Sequence, residues 1–443
     1  MTVLLFLLVG NGETRVWYED TSAKVFNWSE IQLYESFGRI EVGLRFLIDN
    51  ETIENKEKFL GFYQRYVQYK TDNYYLIAGN FYKIFGSGLL FAAYEDREMF
   101  IDKYLDGLSA GFDFTSVDGG VFVAPLISNY KAMVYGLELH PLIFSLYYIR
   151  FDVADTSGFF GYPYEEWIGI GGSKEFGRFE AGIEYAKRFV WGEYSPAHGW
   201  YGVENKDGRG VYGYCSFVYK DFGIYADFKD YIRVDGEMNL PPPCTFTGES
   251  LNQGRDEKGG EVEINFKFPS SFHHIYNAGY IEDHKRSSSL LTFYSEERIE
   301  TEVLTVVLEL FSVKRNTKES FLPISGEKKA SFKLEGSIGD FSFTMHIGAG
   351  DVEEGILKYK EFETIFEVGR GDFILSTGAE YTTSPPTGEN RTNWYWVGIQ
   401  WQYFPFFLLV EAGGFRGKYT CKGGICRYEP PFKGLKINFS FTL

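Results

Sequence analysis

Residues 435–443 alternate without a break. Leu435, Ile437, Phe439, Phe441 and Leu443 fall on one face, and Lys436, Asn438, Ser440 and Thr442 on the other. A period of two belongs to a β-strand, not to a helix. The same grammar recurs upstream. Ile40, Val42, Leu44, Phe46 and Ile48 oppose Arg39, Glu41, Gly43 and Arg45; Phe179, Ala181, Ile183 and Tyr185 oppose Glu180, Gly182 and Glu184. Phe222 to Phe228, Val262 to Phe268 and Phe341 to Ile347 repeat it. A strand of this kind at the end of a chain leaves a sheet edge open unless something pairs with it. The simplest remedy is a sheet closed on itself, with the last strand beside an early one.

No convincing amphipathic helix separates these strands, so a parallel βαβ topology is not expected. The connections are of two kinds. Short turns such as 176–178, 339–340 and 369–372 alternate with long polar stretches such as 191–209, 235–259, 314–327, 382–393 and 417–432. Outer-membrane barrels have this layout, with short turns on one side and longer loops on the other. A propeller would repeat every ~40–50 residues, and no such self-similarity is present. Aromatic residues make up 19% of the chain, with 43 Phe and 33 Tyr. That suits membrane girdles, and it also suits a large soluble sandwich. Past the N-terminus no apolar run reaches the ~18–20 residues of a membrane helix. The expected fold is therefore all-β: one large closed antiparallel transmembrane barrel over residues 13–443, of about 20–22 strands. A soluble secreted β-protein is the rival. A final strand of this pattern resembles the C-terminal signal of bacterial outer-membrane barrels, although such signals usually end in Phe and this one ends in Leu443.

The net charge of −17 argues against a nucleic-acid partner, since phosphate neutralisation needs a basic surface. Residues 3–9 form an apolar run followed by Gly10 and Gly12, which gives an expected secretory signal over residues 1–12. No Lys or Arg precedes the run, as a start assigned too late would explain; a buried first strand is the alternative. Cys421 and Cys426 enclose Lys-Gly-Gly-Ile, and the glycines let so short a loop bend back. They are read as a disulfide, with zinc as the alternative. Cys215 and Cys244 leave their pairing open.

One stretch breaks the pattern. Residues 79–107 lose the period of two after Gly86. Ala92, Ala93, Tyr94, Ile101 and Leu105 could form one side of a short helix, after a bend at Gly86 and Gly88. The charges crowd: Glu95, Asp96, Arg97, Glu98, Asp102, Lys103 and Asp106. Such a segment, about 84–106, could fold into a barrel lumen and narrow it. Glu95, Asp96, Arg97, Asp102 and Asp106 would then line the constriction, with Arg97 paired to a carboxylate. A solvated surface loop, or a helix packed at the rim, is the plainer reading.

This stretch also carries a resemblance. Gly79-Asn80-Phe81-Tyr82, Phe85-Gly86-x-Gly88-Leu89, Tyr94-Glu95-Asp96-Arg97 and Leu105-Asp106-Gly107 resemble an uncharacterised bacterial family of predicted outer-membrane β-barrels, best known from Bacteroidetes. Cys421-x-Gly423-Gly424-x-Cys426-x-x-x-Pro430-x-Phe432-x-Gly434 resembles that family's C-terminal motif. The resemblance does not run through the middle of the chain, and it sets an arginine where Ser87 stands. It implies a fold and a location in the outer membrane, but no activity.

Catalytic constellations are not found: there is no G-x-S-x-G elbow, H-E-x-x-H helix or P-loop. His273, His274 and His284, near Glu282 and Asp283, read as polar strand and loop positions rather than a metal site. No cofactor, metal or enzymatic activity is expected. Glu180, Glu184, Asp227, Glu261, Glu263 and Glu335 recur on polar faces, and a lumen lined this way would concentrate cations. The expected function is an outer-membrane pore for small solutes, lumen partly occluded by residues 84–106. The alternative is a non-conducting barrel that binds partners through its long loops, and an outer-membrane enzyme ranks last. The expected partners are outer-membrane lipids and, through the C-terminal strand, the barrel assembly machinery.

Overall fold

A computed structural model describes residues 9–19, 24–50, 59–96, 101–126, 132–153, 164–191, 207–234, 238–246, 248, 251, 256–268, 271–316, 324–354, 357–386, 391–422, 425–429 and 432–442. Its main sheet has 24 strands, each antiparallel to its neighbours in the chain. The first barrel strand, Val9–Glu19, pairs on one side with Lys24–Phe37 and on the other with the last, Phe432–Thr442, so the sheet closes. The closure foreseen from the final strand is present, with more strands than the 20–22 expected. The extra strands fit because several connections are two-residue turns, such as 339–340 and 371–372.

Short turns lie along one edge of the barrel and longer connections along the other. Val9 and Thr442 lie on the short-turn edge, since Asn11 opposes Thr442. Among the described residues no helix is long and apolar enough to cross a membrane, a test that does not bear on strands. The strand Val9–Glu19 begins before the boundary expected at residue 12; residues 1–8 lie outside the described residues.

Facing residues sort cleanly. Phe362, Leu375, Val397 and Ile399 point outward and are about half exposed. Their strand neighbours Glu361, Ser376, Trp396 and Gln400 point inward by the alternation of the pleat. The outer belt is an exposed apolar surface of the extent that marks a contact face. On the inner face, aromatic rings lie over a glycine directly opposite on the next strand: Tyr75 on Gly111, Tyr214 on Gly182, Trp396 on Gly378. A methyl group at Gly182 would sit 2.4 Å from the Tyr214 ring. The rings cover backbone that a glycine leaves bare and help to fix the register.

Cys215 and Cys244 are both free thiols. Cys215, opposite Ala226, shares the outward face of Phe228, whereas Cys244 is buried on the inner side of the wall. The hairpin formed by Lys418–Lys422 and Ile425–Glu429 sets Cys421 directly opposite Cys426 in its backbone register; their side chains lie outside the described set.

Candidate functional site

Between the neighbouring strands Tyr74–Phe81 and Leu105–Phe114 the chain turns inward. It forms a small hairpin, Lys83–Phe85 against Phe91–Ala93, then a second, Glu95–Asp96 against Ile101–Asp102. The helix expected around Ala92, Ala93 and Tyr94 is not formed, because the backbone there finds partners elsewhere. The Ala92 N–H donates to the carbonyl of Met238 at 2.5 Å, and the Leu240 N–H donates to that of Gly88 at 3.0 Å. Asn239 Nδ2 donates to the carbonyls of Leu89 and Leu90 at 2.6 and 2.7 Å. A second inward segment, Met238 to Phe246, is thus clipped onto the first. Gly88, at φ +90°, allows this approach: a Cβ there would lie 2.8 Å from the Leu240 carbonyl oxygen.

The pair of segments rests on an apolar patch of the inner wall. Phe85, Leu89, Leu90 and Phe91 are fully buried against Phe122, Val134, Tyr147, Ile149, Trp167 and Tyr231. Burial of such side chains stabilises by roughly 2 kcal/mol each before entropy is counted. The second segment is also held by Lys229, whose ammonium donates to the Pro243 carbonyl and pairs with Glu257, both at 2.6 Å. Tyr231 donates to the Pro242 carbonyl at 3.2 Å. Ser87 offers its backbone N–H to Glu184 Oε2 at 2.8 Å, and the other oxygen of Glu184 is buried without a hydrogen-bond partner.

The charged end of the first segment meets the wall at Arg45. Its guanidinium pairs with Glu30 of the wall, with Glu95 at 2.7 Å and with Asp102 at 3.0 Å. Tyr82 donates to Asp102 at 2.9 Å, and Gln64 donates to Tyr82 at 2.6 Å. A bulge arranges this: Gln64 opposes Arg45 and Phe62 opposes Phe46, which leaves Tyr63 as the extra residue. Tyr63 then packs edge-on against Tyr104, with centroids 5.3 Å apart, beneath the Arg45 guanidinium. Burial pushes the Asp102 carboxyl up to about 6; Arg45 and the Tyr82 hydrogen bond oppose this, and Glu95 adds to it. Burial likewise raises the Tyr82 and Tyr104 phenols, with the nearby Asp102 charge adding to it.

Of the expected constriction residues, Glu95 and Asp102 come together. Their cation is Arg45 on the wall, which the sequence reading did not connect with them. Asp96 belongs to the same small hairpin, with its side chain outside the described set, and Arg97 lies outside the described residues. Asp106 is a correction: it opposes Asn80 and shares the outward face of Leu108, because Leu105 takes the inward position beside it. The three histidines do not converge. His273 meets Glu300, His274 meets Glu297 and His284 meets Asp230.

The opposite arc of the inner wall is polar. Lys333, Glu335 and Glu363 point inward, yet their side chains are 41%, 40% and 42% exposed. A barrel of 24 strands is too wide for side chains alone to fill.

Residues 12–119 match the model of a family described as a family of unknown function, DUF6029. That span includes the first of the two motifs noted above and less than half of the chain. No curated protein matches the chain. Among solved structures, the P pilus usher (PapC) translocation pore is similar with a TM-score of 0.51 and 9% identity, over 98% of this chain and 99% of that one. An E. coli P pilus tip assembly intermediate, PapC-PapD-PapK-PapG, gives a TM-score of 0.53 at 9% identity, over 98% of this chain and 60% of that one. At such identity the likeness is one of fold. The fold is a closed 24-strand antiparallel β-barrel of the kind built by outer-membrane proteins.

Proposed function

We propose that the chain is a non-enzymatic outer-membrane pore for small solutes, narrowed on one side by its inward segments. The observation that carries this reading is the asymmetry of the inner wall. One arc is apolar and covered by residues 82–96, 101–104 and 238–246; the other presents inward charges that water still reaches. Those charges are mostly acidic. Glu363 opposes Glu380 on neighbouring strands. A water-filled path lined this way favours cations over anions. The solved neighbour described as a translocation pore has the same kind of barrel, which is compatible with a role in passage.

In this reading lipid covers the outer belt, and the short-turn edge faces the periplasm. The strand Phe432–Thr442, apolar on its outward side, is what the assembly machinery engages. The test is a planar bilayer measurement on protein that shows heat-modifiable gel mobility. The expected result is a small conductance with cation permeability exceeding anion permeability. Folded protein without conductance would eliminate the open pore and leave the barrel as a binding protein.

A further inference from the structure

We propose that Asp227, Glu261 and Asn277 form a divalent-cation site that fastens the 238–246 segment to the barrel wall. Asp227 and Glu261 lie directly opposite each other on neighbouring strands, both facing inward. Like charges so placed repel. Neither carboxylate has an ion-pair partner among the described residues. The donors to Asp227 are neutral: the Tyr225 hydroxyl at 3.2 Å, the Glu261 N–H at 3.3 Å and the Cys244 thiol. The ammonium next to them, Lys229, is committed to Glu257 and the Pro243 carbonyl. Two carboxylates therefore stand together, and the cation whose field reaches both, Lys229, is shared with Glu257.

A second observation points to the missing charge. Asn277 is 3% exposed, and its amide nitrogen donates to Glu261 Oε2 at 3.1 Å. Its amide oxygen is buried without a hydrogen-bond partner. Rotating the amide by half a turn would bring that oxygen to the Glu261 carboxylate, a contact that is favourable only with a cation between them. Gly279, opposite Glu261, leaves room that the Thr292 hydroxyl enters, 2.7 Å from where a Cβ would be. The Cys244 carbonyl oxygen lies 3.6 Å from where its Cβ would be. Two carboxylates, an amide oxygen and a backbone carbonyl are the donors a hard divalent ion takes, such as Ca²⁺, Mg²⁺ or Mn²⁺. Among the described residues no three His, Cys, Asp or Glu side chains converge as they would for zinc. Cys244 belongs to the inward segment and the other three residues to the wall, so a bound ion would join the two.

The test is Mn²⁺ titration of the full-length folded protein in detergent, followed by the loss of the free-ion electron paramagnetic resonance signal. One saturable equivalent is expected, displaced by Ca²⁺ or Mg²⁺. D227N with E261Q should weaken it at least tenfold, and N277L several-fold. E363Q with E380Q, which removes an opposed acidic pair elsewhere in the lumen, should leave it unchanged. If the double variant at 227 and 261 loses heat-modifiable mobility, E261Q alone and N277L decide. Absence of saturable binding in the wild type would overturn the proposal and leave a shared proton between the two acids. Equal loss in E363Q/E380Q would overturn it in favour of general charge attraction. Neither result depends on whether the barrel conducts.

Discussion

Asn239 reaches across from one inward segment to the other and satisfies two consecutive carbonyls, those of Leu89 and Leu90, with a single amide group. At 7% exposure it has no water to replace these bonds. Replacing it with Leu keeps the volume and leaves both carbonyls unpaired, at a cost of about 1–3 kcal/mol per buried group. The expected outcome for N239L is an unchanged heat-modifiable barrel, with faster proteolysis within residues 84–96 and a larger conductance. Unaltered proteolysis would show that the two segments do not depend on this clip.

Arg45 holds three carboxylates. R45M removes the charge and keeps the stem, leaving Glu30, at 2% exposure, beside Glu95 and Asp102 with no cation between them. Breaking a buried ion pair on one side costs about 3 kcal/mol. R45M should lower the midpoint of thermal unfolding, and adding E30Q should recover part of the loss. Equal midpoints for R45M and wild type would contradict the placement of Arg45.

Asp102 sets a pH dependence. Its carboxyl is pushed up to about 6 in the folded protein, chiefly by burial, above the ~3.9 of an unfolded chain. Between these values the folded state holds the proton more tightly. The contribution of this group to stability is therefore present at acid pH and declines as pH rises from about 4 to about 6, by ~3 kcal/mol at most. Relative to D102N, the wild type should lose stability between pH 4.5 and pH 7. A difference that is flat, or that rises with pH, in thermal unfolding would refute this.

The Tyr214 ring on Gly182 gives a packing test. With 2.4 Å between an added methyl and the ring, G182A must displace Tyr214. The expected cost is about 1–3 kcal/mol. In a Y214A background the same change should cost much less, and a double-mutant cycle measures that coupling.

Cys421 and Cys426 oppose each other in a hairpin register, which sets their Cα atoms about 4.5–5.5 Å apart, within disulfide range. Denatured but unreduced protein should expose two thiols, Cys215 and Cys244, and four after reduction. Four thiols without reductant would exclude the bridge.

The period of two made the strands legible, and with them the closure, because facing alternates regardless of what lies inside. The segment near 84–106 announced itself as a break in that period. Its shape did not, since Ala92, Leu89 and Leu90 are paired by a stretch some 150 positions away that reads locally as a polar loop. The signal within that loop was Met238 and Leu240 beside three prolines, apolar residues in an otherwise hydrophilic connection. Arg45 was assigned correctly to the polar face of its strand. Its carboxylate partners were hidden, because a bulge and a returning chain brought them together.

The two inward segments spring from wall positions separated by the eight strands between Leu105 and Ile232. Joined at Asn239, they span that arc as a chord spans part of a circle. An arc tied by a chord keeps its curvature, so deformation under lateral pressure concentrates in the untied remainder. The charged, water-accessible wall is thus also the compliant one. In the proposed pore, the braced side would hold its shape and any change in bore would fall on the side left to solute.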